Sequence, residues 1–177
     1  KAFQIQQKGE TDLDNNEYIQ SVNEYSDLIY RVALHACGNQ MDAEDMVQNV
    51  FIKLFQHKKP FTSEEHKKSW LIRVTVNECH TLFRSVWKSR VQPMEQIECS
   101  TQTSMEEPSD LYDAVMELPA KYRVLIDLYY YEDYSVKEIA DILKMNVSTI
   151  QTRLMRARKM LKEKLEGGMT YERKRFI

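Results

Sequence analysis

Residues Ser135–Arg158 read SVKEIADILKMNVSTIQTRLMRAR, and this stretch decides the second half of the chain. Ser135 and Glu138 match the S-x-x-E capping box, which opens a helix by satisfying two of its free backbone N–H groups. Val136, Ile139, Ala140 and Leu143 then recur at helical spacing and face inward. Ala140 is small and lets a second helix cross closely. Lys144 stands at the turn, where a glycine would be easiest; a left-handed non-glycine residue costs about 1 kcal/mol, which a packed hairpin tolerates. Asn146 is the expected N-cap of the second helix. Val147, Ile150, Leu154 and Leu161 form its expected buried stripe, leaving Thr149, Gln151, Thr152, Met155 and Arg156 on outward arcs.

One helix that braces and a second that offers its N-terminal residues outward is the layout of a helix-turn-helix. Gln151, Thr149, Thr152 and Arg156 can hydrogen-bond base edges in a major groove, and Met155 can touch a thymine methyl. Arg153, Arg158 and Lys159 suit phosphates, which position a protein without specifying sequence. The competing reading is a helical hairpin with a solvated basic face.

Composition supports helices throughout. Four glycines and four prolines in 177 residues are few for a strand-rich chain, so an all-α fold is expected. The net charge of −2 argues against a simple nucleic-acid coat, yet the charge is segregated. Val91–Ala120 contains no Lys or Arg, whereas Gln151–Lys162 carries five basic residues and no acid. One part of the chain is suited to an anion and another avoids it. Cys37, Cys79 and Cys99 are odd in number and widely spaced, which is neither a disulfide framework nor a paired-cysteine zinc motif. His35 and His80 lie near Cys37 and Cys79, but buried thiols in a reducing cytoplasm are the better reading. Neither a metal nor a cofactor is expected. No apolar run approaches the roughly 20 residues of a membrane helix, and no secretory signal pattern opens the chain.

Upstream, residues 1–16 are polar and aperiodic, which predicts a disordered tail. Tyr25, Leu28, Ile29, Val32, Ala33 and Ala36 mark a first helix, which Gly38 and Asn39 stop. Asp42 offers an N-cap for the next, whose stripe is Met46, Val47, Val50, Phe51, Leu54 and Phe55. His57 and His66 are expected in a charged, exposed loop. Ser63–Arg90 reads as mostly helical, with Trp70, Leu71, Val74, Leu82 and Phe83 inward. Residues 92–108 are acidic and lack a sustained period, which predicts a flexible linker. Leu118–Pro119 punctuates the second half, and Val124, Leu125, Leu128 and Tyr129 line the helix after it. Tyr129–Tyr131 fits core and rim packing better than base stacking, because duplex DNA offers no free base face. The expected organisation is therefore two small helical domains, 17–91 and 109–166, joined by a linker and followed by a tail over 167–177.

Taken together, GNQMDAEDMVQNVFIKLF, WLIRVTVNECHTLFR and LPAKYRVLIDLYYYEDYSVKEIADILKMNVSTIQTRLMRARKML resemble the extracytoplasmic-function sigma factors, bacterial transcription initiation factors. The resemblance implies a non-catalytic subunit that binds core RNA polymerase and reads −10 and −35 promoter elements. It implies that 17–91 is the polymerase-binding and −10 domain and 109–166 the −35 domain. It assigns Asp45, Gln48, Asn49 and Lys53 to the clamp helices of the polymerase largest subunit. Many relatives carry an acid where Asn49 stands. It assigns Trp70, Arg73 and Asn77 to an unstacked base of the −10 strand, with Arg84, Lys88 and Arg90 on upstream phosphates. A pocket for an unstacked base needs a polar edge-reader, a stacking wall and a cation, although Trp70 is more often core than stacker. The resemblance further implies promoter DNA as ligand, an anti-sigma factor that can be membrane-anchored, and a cytoplasmic location, with no small-molecule substrate.

A different class remains in play, an autonomous helix-turn-helix regulator with a sensory N-terminal domain. That reading leaves Asp45, Gln48, Trp70, Arg73 and Asn77 without a role. An enzyme has little support, because no Gly-rich phosphate loop, H-E-x-x-H or nucleophile motif occurs.

Overall fold

The computed structural model describes the backbone of residues 15–89 and 110–175, and the side chains of 15–82 and 110–166. Among these residues there are seven helices and no strand: α1 Asn15–Cys37, α2 Gln40–Phe55, α3 Glu64–Ser89, α4 Asp110–Met116, α5 Ala120–Tyr130, α6 Val136–Leu143 and α7 Val147–Arg175.

The first three helices pack on one another around the stripe read from α1, all six residues of which are buried. Gly38 ends α1 in the left-handed region, at φ +83, and its N–H donates to the Leu34 carbonyl at 2.7 Å. The residue that caps α2 is Asn39 and not the expected Asp42: Asn39 Oδ1 accepts from the Asp42 N–H at 2.9 Å. Asp42 is the third residue of the helix, and its carboxylate takes a hydrogen bond from Asn39 Nδ2 at 2.8 Å. An asparagine directly after the terminating glycine lets α2 begin three residues earlier. Met46, Val50, Phe51 and Leu54 are buried as expected, but Phe55 is partly exposed and lies edge-on to Tyr18 at 5.3 Å. It falls beside the stripe, one position past Leu54.

Lys67 of α3 is a buried cation with a full set of partners. Its Nζ donates to Glu17 Oε1 (3.1 Å), Ser21 Oγ (3.3 Å) and Glu64 Oε1 (3.0 Å), and Tyr25 donates to the other Glu64 oxygen at 3.0 Å. A charge taken out of water must be paired in this way. Hydrogen bonds from Lys67 and then Tyr25 hold the Glu64 carboxyl below the usual carboxylate range.

In the second half, Pro119 stands at the N-cap of α5, where its missing N–H costs nothing. Every residue from Tyr122 to Leu128 is buried, because α5 lies among α1, α4, α6 and α7. The periodicity predicted only one buried face. The capping box of α6 is formed: Ser135 Oγ accepts from the Glu138 N–H (3.3 Å), and Glu138 Oε2 accepts from the Ser135 N–H (2.8 Å). Lys144 is left-handed at φ 55 and ψ 48, as expected, and the following Met145 N–H donates to Ala140 O at 2.9 Å. Ile139, Ala140, Ile150, Leu154 and Ala157 seal α6 against α7. Burying each of the larger side chains contributes about 1.5–3 kcal/mol. Val147 departs from expectation at 42% exposed, since it opens α7 before that helix reaches the core.

The two halves are joined. Arg123 of α5 inserts beneath the end of α1, where Nε donates to the His35 carbonyl at 2.7 Å. Its Nη1 donates to the carbonyls of Met116 (2.7 Å) and Leu118 (3.1 Å). A cation on the last carbonyls of a helix also meets the negative end of its dipole. Around it, His35 Nδ1 lies 3.1 Å from Asp127 Oδ1, Arg31 reaches Asp127 and Glu132, and Lys68 Nζ lies 3.2 Å from Glu132 Oε2.

Candidate nucleic-acid interface

The outer face of α7 is built by subtraction. Ile150, Leu154 and Ala157 turn inward, which leaves Gln151, Thr152, Met155, Arg156 and Lys159 exposed on one arc, with Met155 at 62%. Thr152 returns its hydroxyl to the Ser148 carbonyl at 2.8 Å. Thr149 and Arg153 sit lower, half-buried at the edge of the packed face, and Arg153 Nη1 approaches Met145 Sδ at 3.7 Å. Lys159 lies 3.8 Å from Glu163, a loose exposed pair of little energetic weight.

Arg158 is held. Its Nε donates to the Tyr130 hydroxyl at 2.8 Å, and its guanidinium lies over the Tyr129 and Tyr130 rings at 5.2 and 5.7 Å. The tyrosine run therefore acts as a rest for a cation, a role its packing assignment left unread. Pre-ordering a long side chain lowers the entropy lost when it binds.

On α2, Asp45, Gln48 and Asn49 are all exposed. Lys53 is exposed too, but its Nζ is paired with Glu78 Oε1 of α3 at 2.5 Å. The same side of α2 carries Met41, 75% exposed, and Ile52, 52% exposed. These apolar residues were overlooked in the sequence, although the spacing 41, 45, 48, 52 is that of one helical face. An apolar and polar mixture of this kind suits a partner helix better than bare solvent.

On α3, Trp70 is half-buried in an aromatic cluster. It meets His57 edge-on at 4.7 Å and Phe61 at 5.6 Å, while His57 stacks on Phe61 at 4.6 Å. His57 is thus a packed residue and not the exposed one expected; the rings of Phe61 and Trp70 cover it. His66 is exposed as expected, but in the first turn of α3 rather than in a loop. Arg73 is half-buried and Asn77 exposed. Trp70 and Arg73 line a cleft of about 600 Å³ whose opposite wall is Tyr134, Glu138, Asp141 and Lys144 from the second half. The side chains of Arg84, Lys88 and Arg90 lie outside the described residues, as does the predicted linker.

Among the described residues, no three His, Cys, Asp or Glu side chains are grouped to hold a metal, and no helix is long and apolar enough to cross a membrane.

Comparison with known proteins accounts for both halves. Residues 22–89 match the family model for Sigma-70 region 2, and 109–161 match Sigma-70, region 4. The chain is 32% identical to the RNA polymerase sigma factor SigV of Bacillus subtilis, over 81% of this chain and 88% of that protein. It is 26% identical to the ECF RNA polymerase sigma factor SigW of the same organism, over 86% and 90%. In structure it resembles the sigma factor RpoE from Bartonella quintana, solved with the anti-sigma factor NepR. That match has a TM-score of 0.67 and 25% identity, and covers 85% of this chain and 98% of that one. CnrH, solved with the cytosolic domain of CnrY, has the same fold at a TM-score of 0.60 and 20% identity, over 88% and 92%. With both regions matched in order and a relative aligned over most of its length, the chain belongs to the extracytoplasmic-function class of RNA polymerase sigma factors, subunits that bind core polymerase and direct promoter-specific initiation rather than catalyse a reaction.

Proposed function

We propose that three helices divide the work of promoter recognition. The observation that carries this reading is the continuous outward arc of Gln151, Thr152, Met155, Arg156 and Lys159 on α7, opposite a sealed apolar face. In this reading the helix enters the major groove of the −35 element. Arg156 and Gln151 specify bases, while Arg153, Arg158 and Lys159 hold phosphates, and Thr149, Thr152 and Met155 add contacts at the groove floor. Residues 17–91 and 109–166 act as separate reading units connected by 92–108.

The test separates the two kinds of contact. In polymerase holoenzyme, Arg156→Ala should lose about 1–3 kcal/mol at one base pair and relax the preference there. Arg158→Ala should weaken all −35 variants alike and reduce the salt slope by about one unit. Competition binding against a −35 library at several salt concentrations is the measurement. A uniform loss for Arg156→Ala, with the ranking of sites unchanged, would demote it to a backbone contact.

In the same reading, Asp45, Gln48 and Asn49 meet the polymerase clamp helices, and Lys53 joins them once released from Glu78. Asp45→Ala with Gln48→Ala should weaken core-polymerase binding at least tenfold. Melting should hardly change, because exposed helix positions shift stability by about 0.5 kcal/mol or less. Fluorescence titration with core polymerase reads the first quantity and circular dichroism the second. Undiminished affinity would remove α2 from the interface.

On α3, Arg73 and Asn77 would engage the opened −10 strand, with Trp70 shaping the pocket from within the aromatic cluster and Arg84, Lys88 and Arg90 on upstream phosphates. In the joined arrangement Arg73 shares its cleft with Glu138 and Asp141, whose charge opposes a nucleic-acid backbone. We infer that this arrangement is the silent one and that an anti-sigma factor binds it. The support is the likeness to a sigma factor solved with such a partner. A cytoplasmic chain held by a membrane-anchored partner fits this scheme. Co-purification from the native host identifies that partner directly. The autonomous-regulator reading is not favoured, because both sigma regions are matched.

A further inference from the structure

Cys37 is the last residue of α1, and Cys79 lies in α3, 42 residues later in the chain. Their sulfurs are 3.2 Å apart, both thiols are free, and both residues are buried. A disulfide needs about 2.05 Å between sulfurs, so closure asks for a movement of roughly 1 Å. The sequence predicts two buried thiols, since nothing in their spacing shows that α1 and α3 bring them together.

We propose that Cys37 and Cys79 form a redox-modification site, in which a peroxide converts the thiol pair into an intramolecular disulfide that staples the end of α1 to α3. The roles divide by position. Cys37 retains 7% exposure as a residue, whereas Cys79 has none, so Cys37 is the one of the pair nearer to solvent and to a small oxidant. The neighbouring Cys37 side chain, and then burial, raise the Cys79 thiol above its usual range. The Cys37 thiolate attacks one peroxide oxygen. The O–O bond breaks, hydroxide leaves and takes up a proton as water, and Cys37 becomes a sulfenic acid. Cys79 sulfur then attacks Cys37 sulfur. The S–S bond forms as the S–O bond breaks, and the departing hydroxide takes the Cys79 proton. Two thiols and one peroxide give one disulfide and two waters.

The staple lies at a working point of the molecule. Cys79 is two residues beyond Asn77, and Cys37 adjoins Gly38, against which Arg123 packs. Oxidation ties the proposed −10 helix to the helix end that receives the second half. Cross-linking a loop of this length constrains the unfolded chain, and a rise in melting temperature of roughly 10 °C is expected.

The experiment uses the full chain carrying Cys99→Ser, which leaves Cys37 and Cys79 as its only thiols. It is treated with hydrogen peroxide in the folded state, then unfolded, alkylated, digested and mapped by mass. The expected product is one peptide pair joined through Cys37 and Cys79, lighter by two hydrogen atoms. The higher melting temperature should disappear on adding dithiothreitol. Cys79→Ala in the same background should give Cys37 sulfenic acid, trapped by dimedone, and no rise in melting temperature. If that variant does not fold, the Cys99→Ser map decides alone. Two alkylated thiols after prolonged oxidation, or only disulfides between molecules, would overturn the proposal.

Discussion

Arg123→Met should lower the stability of the chain by about 3–4 kcal/mol, because the guanidinium satisfies three buried carbonyls at once. Methionine fills much of the same volume and isolates the polar loss from a cavity effect. The carbonyls of Met116 and Leu118 lose the bonds that close the turn between α4 and α5. The His35 carbonyl at the end of α1 loses the cation that crosses between the halves. Urea denaturation by circular dichroism gives the free energy, and small-angle scattering gives the second consequence, an increase in radius of gyration as the halves part. An unchanged midpoint with an unchanged radius would show that the remaining contacts, Arg31 and Lys68 to Glu132 and His35 to Asp127, are sufficient for the joint.

Gly38→Val should cost about 3 kcal/mol, for two separable reasons. A φ of +83 is unfavourable for any residue with a Cβ by about 1–2 kcal/mol, and more for a β-branched one. In addition, a Cβ at this position would stand 2.7 Å from Arg123 Nη2, closer than such atoms approach. The side chain of Arg123 must then move, and its hydrogen bonds move with it. The two substitutions should therefore be non-additive. In the Arg123→Met background, Gly38→Val should cost about 1 kcal/mol less than it does alone, since only the backbone strain remains. Equal costs in both backgrounds, measured by the same denaturation experiment, would mean that the guanidinium yields freely.

Much of the second half could be read without coordinates. The capping box at Ser135 and Glu138, the left-handed Lys144, the inward Ile150 and Leu154 and the outward Arg156 are all local consequences of residue type and helical period. The same holds for the six buried residues of α1. Local signals fail where two candidates compete. Asn39 and Asp42 can both cap a helix, and only the placement of Gly38 decides that Asn39 does. They fail again at helix ends, where Phe55, against the edge of Tyr18, and Val147 are expected in an apolar stripe yet stay 42% exposed.

What the sequence by itself determined is the helical class, the division into two sigma regions and the outward placement of Gln151, Thr152, Met155 and Arg156 on α7 and of Asp45, Gln48 and Asn49 on α2. Each depends on periodicity or on motif, which are properties of the chain within a few turns. Only the tertiary structure decided what meets what across long separations. It brought Cys37 to Cys79, rested Arg158 on Tyr129 and Tyr130, paired Lys53 with Glu78, and buried Arg123 beneath the end of α1. A seven-residue buried run such as Tyr122–Leu128 is amphipathic in sequence; it is covered on every side only because α1 from the other half packs on the face that α4, α6 and α7 leave open. That face carries Arg123 and Asp127; the opposing helix end supplies the His35 carbonyl to the guanidinium, and His35 Nδ1 lies 3.1 Å from Asp127 Oδ1.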